Sequence, residues 1–123
     1  GAPPGNEIAV FLHHDGPLSP QTVAVLAWSV RTAEGFAQAL HTLRRPAERH
    51  LQRWSVVARR SPPELSGPPC TLAGLAAWLT GDGALARSWL ERATAEHPGS
   101  YGIGLLDHVL ESAIAPTQWD PGH

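Results

Sequence analysis

The sequence predicts an all-α protein, a globular bundle of about six helices within its 123 residues. Three observations carry that prediction. Apolar residues recur at i, i+4, i+7 in successive segments, as one face of a helix requires. Serine, threonine and proline stand where helices start, and glycine–proline pairs stand where they stop. No two strand-like runs are joined by a hairpin turn. The length suits one domain, which should bury about two-thirds of its unfolded surface.

Residues 1–5 (GAPPG) read as a disordered lead-in or linker, residues 6–119 as a single all-α domain, and residues 120–123 as a tail. Residues 6–14 hold the apolar run IAVFL, ending at Asp15-Gly16. Such a short run suits helix or strand, and we read a short helix. Ser19 is placed to cap the next helix, with Pro20 at its first position and Leu18 stapled against Val23. That helix runs to about Arg31, and its apolar residues nearly encircle it, which predicts a central place. Strand alternatives stay open for Ile8–Leu12 and Val23–Val30. After Thr32, Phe36, Leu40 and Leu43 mark a second helix. Pro46 opens a third, to about Arg60, with Ala47, Leu51, Trp54 and Ala58 facing inward and Arg45, Arg49, Arg53 and Arg60 facing away. The pairs Pro62-Pro63 and Pro68-Pro69 bracket a turn.

Leu72–Pro98 then reads as two amphipathic helices hinged on Gly81-Asp82-Gly83. Gly81 can take the left-handed conformation that closes a helix, and Asp82 can accept a backbone N–H at the start of the next. His97-Pro98-Gly99 stops the chain, Ser100 is placed to cap a last helix to about Ala113, and Pro116 ends it. Trp119 is expected to fold back onto the body.

Composition narrows the class of function. The single cysteine, Cys70, forms no internal disulfide and no zinc site alone, which suits a reducing, cytoplasmic setting. No apolar run reaches the ~18 residues that span a bilayer, and no signal-peptide pattern opens the chain, so we expect a soluble protein with no membrane partner. Methionine and lysine are both absent, which suggests an excised or processed chain from a GC-rich genome. Charge is asymmetric: residues 1–63 hold seven arginines against four acids, and residues 64–123 hold two against seven. Such a difference can orient a partner or pair two copies head to tail.

Within residues 70–98, Gly74, Ala77, Gly81, Ala86, Leu90, Ala93 and Pro98 fall where a tetratricopeptide unit places its small residues and closing proline. The pattern occurs once, so it resembles one repeat-like hairpin inside a globular bundle. The AAWL-x-GDGALA core, followed by ERA-x-A-x-x-P, resembles the C-terminal region of the actinobacterial domain-of-unknown-function family 4192. The similarity is expected to cover Ser19–Trp119, while that family's N-terminal glycine-phenylalanine-arginine-proline signature is missing. The resemblance implies the helical C-terminal part of such a protein, or a short relative. It implies no activity and no catalytic residues.

Candidate sites each have a plainer reading. His13-His14-Asp15 suggests metal binding, but adjacent histidines point apart and a solvated helix end suffices. Asp107, His108 and Glu111 share a helical stretch and could perform acid–base work, yet they also read as an exposed polar face. Cys70 could have a lowered thiolate pKa at a helix start, or simply pack in the core. Residues 44–60 carry six arginines against Glu48 alone. Of these, Arg45, Arg49, Arg53 and Arg60 form the candidate phosphate-binding stripe. Most of the five tryptophans fall on inner faces, but Trp89, next to the inward Leu90, should be partly exposed beside Leu85. Trp89 and Leu85 are therefore the candidate protein interface. No motif calls for a cofactor, a metal or a catalytic residue. The sequence thus points to a non-catalytic interaction module of a larger bacterial protein, with a protein partner or self-association. The alternative is a phosphate- or nucleic-acid-binding domain using the arginine stripe.

Overall fold

The computed structural model describes residues 8, 16–44, 46–112 and 115–118. Among them the protein is all-helical: α1 (Pro20–Ser29), α2 (Ala33–Thr42), α3 (Ala47–Arg60), α4 (Gly67–Leu79), α5 (Gly83–Glu96) and α6 (Ile103–Glu111). Short 3-10 turns at Pro63–Leu65 and Pro116–Gln118 complete the order, and the described residues include no strand. Ile8 is helical and buried; the rest of the 6–14 run, the lead-in, the tail and Trp119 lie outside the described residues.

Side-chain caps set three of the six helix starts. The Ser19 hydroxyl accepts the Thr22 N–H at 3.1 Å, with Pro20 opening α1, and the Thr32 hydroxyl accepts the Gly35 N–H at 3.1 Å. Asp82 Oδ1 accepts the Leu85 N–H at 2.9 Å, and Gly81 closes α4 with φ +89°. Each cap satisfies a donor that the first helical turn leaves without an intrahelical partner.

The centre of the molecule differs from the sequence expectation. It is α4, not α1, that lies centrally: eleven of its thirteen residues are buried, and α2, α3, α5 and α6 all pack against it. A helix that is apolar on every side belongs inside. Alanine, glycine, cysteine and threonine also leave α4 thin enough to be surrounded. By contrast, α1 leaves Val25 40% and Trp28 56% exposed. The proline pairs do bracket a turn, the 3-10 turn at Pro63–Leu65, and Pro68 and Pro69 also sit in the first turn of α4, where the missing N–H costs nothing.

The last helix starts later than the Ser100 signal implied. Gly102, at φ +96°, occupies the N-cap position of α6, and the Ser100 N–H instead donates to the His97 carbonyl at 2.9 Å. A Cβ on Gly102 would stand 2.4 Å from Phe36 Cζ, so close packing as well as backbone conformation fixes glycine there. The second close approach is at Gly74 in α4. A Cβ there would lie 2.5 Å from Leu106 Cδ2 and 3.2 Å from the Cβ of Trp89, so α5 and α6 both converge on its bare backbone.

Gly74→Ala should therefore lower stability by about 1–2 kcal/mol in urea unfolding, because overpacking outweighs the ~1 kcal/mol gain in helix propensity. Gly83→Ala, which meets nothing within 4 Å, should stabilise by about 0.4–1 kcal/mol. Equal midpoints for the two variants would show that the approach at Gly74 is not tight.

Candidate functional site

The arginine face of α3 is the most strongly charged feature, and the structure divides it. The expected solvated stripe is corrected at Arg53, which is only 8% exposed. Its Nη1 donates to the Gly16 carbonyl at 2.7 Å, and Arg60 Nη1 donates to the Leu18 carbonyl at 3.2 Å. Arg49 is half-buried, and Arg45 lies outside the described residues. The buried side of α3 is broader than Ala47, Leu51, Trp54 and Ala58, because His50, Arg53, Ser55 and Val57 join it. A helix packed on both α1 and α4 must bury more than one narrow stripe. His50 was legible as a core position, three residues after Ala47 and four before Trp54.

Between the 16–18 segment and α3 lies a cleft of about 560 Å³. Arg49, Gln52, Arg53 and Arg60 supply its polar wall, and Pro17, Leu18 and Val56 its apolar one. Gln52 and the exposed Arg59 are seven residues apart, so they share one side of α3. At the other end of the chain, Arg44 Nη2 donates to the Pro116 carbonyl at 2.5 Å. These arginines thus fasten both terminal segments to the body while leaving a basic, partly apolar recess.

The Trp89 expectation is corrected. Trp89 is 7% exposed, with its Cβ against the Gly74 backbone, and Leu85 is half-buried beside the core. Because Gly74 has no side chain, α5 approaches closely enough to seat the indole inside. Trp54 and Trp78 are also buried, so among the described residues the exposed tryptophan is Trp28, with the Arg31 guanidinium 3.6 Å above its ring. A second recess of about 340 Å³ lies between α2 and α6, lined by Phe36, Ala37, Leu40, Tyr101 and Leu105 among others.

Asp107, His108 and Glu111 do not converge on a recess; all three are exposed. Glu111 pairs with Arg87 at 3.6 Å, and His108 Nδ1 lies 3.2 Å from the Ser112 hydroxyl. Among the described residues, no group of three histidine, cysteine or carboxylate side chains is placed to hold a metal, and residues 13–15 lie outside that set. A contact that sequence reasoning missed joins the buried Ser66 hydroxyl to His97 Nε2 at 2.7 Å. The same hydroxyl donates to the Pro63 carbonyl at 3.2 Å. The pair therefore staples the start of α4 to the end of α5. Nothing in the spacing of residues 66 and 97 signals it. Cys70 is buried, and desolvation raises its thiol pKa above the ordinary 9.0, with Arg92 lowering it and Glu96 raising it to lesser degrees. The lowered thiolate is corrected accordingly: burial outweighs the helix start.

The architecture defines a small all-helical domain built around one enclosed helix, with a basic cleft beside its N-terminal segment. The chain belongs to the family described as Domain of unknown function (DUF4192), whose model matches residues 7–117. No curated protein and no solved structure matches it.

Replacing Arg53 with alanine removes a charge-assisted bond to Gly16 and the packing of a buried side chain. It should cost about 1–3 kcal/mol, whereas Arg59→Ala should stay within about 0.5 kcal/mol in the same thermal unfolding assay. Cys70 supplies a pH test. The folded thiol keeps its proton to higher pH than the unfolded one, so this stabilisation is complete below the ordinary 9.0 and declines as pH rises through the raised value. The urea midpoint of the wild type should fall more steeply across that range than that of Cys70→Ala; parallel curves would contradict it.

Proposed function

We propose that this domain is a non-catalytic protein-interaction module whose cleft takes an acidic, partly apolar segment of a protein partner. The cleft beside α3 carries this reading, because its lining combines arginines and Gln52 with the apolar Pro17, Leu18 and Val56. A peptide alternating carboxylate and aliphatic side chains complements both halves. Guanidinium groups that already donate to main-chain carbonyls are held in place, which lowers the ordering cost of recognising a carboxylate. The small-residue spacing of the α4–α5 hairpin, like that of a tetratricopeptide unit, supports the same class of function. We place the domain in a larger cytoplasmic bacterial protein, consistent with its lone buried thiol. No helix among the described residues is long and apolar enough to cross a membrane.

The test is fluorescence anisotropy with a labelled peptide of alternating glutamate and leucine. Binding should weaken several-fold as salt rises from about 0.01 M to 0.1 M, where the Debye length shrinks from ~30 Å to ~10 Å. The double variant Gln52→Glu/Arg59→Glu should lose at least tenfold in affinity while keeping its helical circular dichroism. No peptide binding, with tight salt-sensitive binding to oligonucleotides instead, would replace this reading with the phosphate-binding one that uses Arg49, Arg53 and Arg60.

A further inference from the structure

We infer that the acidic segment this cleft accepts is supplied by a second copy of the same chain, giving head-to-tail self-association; the inference rests on the proposed role of the cleft. Helices α3 and α5 both pack against α4 and scarcely touch one another, so they hold different sides of the molecule. On the α3 side stand Arg49, Arg53, Arg59 and Arg60 against Glu48. On the other side, α5 and α6 carry Glu91, Glu96, Asp107 and Glu111 against Arg87 and Arg92. Both of those arginines are engaged within that face: Arg87 pairs with Glu111 at 3.6 Å, and Arg92 with Glu96 at 3.4 Å.

The Arg87–Glu111 pair fixes the register between α5 and α6. One turn onward along α5 is Glu91, and one turn back along α6 is Asp107. Two consecutive helices joined by a short connection run roughly antiparallel, so this register brings Glu91 and Asp107 to the same level of the seam. Both are exposed, and among the described residues the ion pairs of this face run through Arg87–Glu111 and Arg92–Glu96 and include neither of them. The half-buried Leu110 lies beside them on α6. The seam thus offers carboxylates next to aliphatic surface, the chemistry that complements the cleft.

Pairing like faces would set arginines against arginines, or Glu91 and Asp107 against their own copies. Both arrangements are repulsive. Pairing unlike faces places guanidinium groups against this carboxylate pair. Because the two faces lie on different sides of α4, the contact is heterologous, and each added copy leaves one basic and one acidic face open.

Sedimentation velocity of the whole chain tests this. At about 0.01 M salt the wild type should show species larger than a monomer that grow with concentration, and these should dissolve at about 1 M salt, where screening acts within ~3 Å. Gln52→Glu/Arg59→Glu and Glu91→Arg/Asp107→Arg should each be monomeric alone. Mixed in equal amounts they should form a dimer, since each retains one intact face. If the arginine substitutions disturb folding by circular dichroism, Glu91→Gln/Asp107→Asn serves instead, and its mixture should give the same dimer. A wild type that stays monomeric at low salt overturns the inference, and so does a mixture without dimer. Peptide binding by a monomeric wild type would overturn self-association while preserving the proposed role of the cleft; loss of both would overturn both.

Discussion

The enclosure of α4 is the constraint on which the rest of this structure depends. A helix surrounded by four others leaves little radial room, and residues 67–79 meet that limit with glycine, alanine, cysteine and threonine at most positions. The bulk that fills the core then comes from the neighbours: Trp54 from α3, Trp89 from α5, Leu106 from α6 and Phe36 from α2. Large groups over a thin central rod can interdigitate closely. It also explains why Gly74 and Gly102 are intolerant positions, since each is the floor on which a neighbour's side chain rests.

Enclosure of α4 pushes charge to the periphery, where the arginines acquire a structural role. Arg44, Arg53 and Arg60 reach across to the carbonyls of Pro116, Gly16 and Leu18, three acceptors that no helix satisfies. A guanidinium can do this because its fork offers five donors on a stem long enough to cover apolar surface on the way. Lysine has the length but not the fork, so the all-arginine composition has a physical use here beyond any bias of codons. The ion pairs of α5 and α6 are different in kind. Both partners are largely exposed, and such pairs contribute ~0–1 kcal/mol.

What was legible in the sequence is what local chemistry decides. The caps at Ser19 and Asp82 and the left-handed Gly81 each act within four residues of their partners, so their signals survive without knowledge of neighbours. The failures share one cause. Ser100 resembles a cap, but the packing of Gly102 on Phe36 starts α6 two residues later than that cap would allow. Trp89 and Trp28 exchange their expected places because helical rotation alone cannot say how near a neighbour comes. Only the missing side chain at Gly74 brings α5 close enough to bury Trp89, while nothing among the described residues covers Trp28 fully. Within the arginine stripe, Arg53 leaves the surface because its acceptor at Gly16 is remote in sequence, while Arg60 stays exposed as the spacing implied. Family membership could be recognised from the hairpin core, whose residues lie on α4 and α5 themselves, and the family match spans residues 7–117.

The separation of basic and acidic faces follows from chain order as much as from composition. Most arginines precede α4 and most acids follow it. Because α3 and α5 take different sides of α4, a difference along the chain becomes a difference across the molecule. Had α3 packed directly on α5, Arg59 could have met Glu91 within one copy and the faces would have neutralised each other. Full enclosure of the central helix prevents that contact. The same packing that buries α4 thus leaves a basic cleft and an acidic seam to be satisfied by water, ions or another chain.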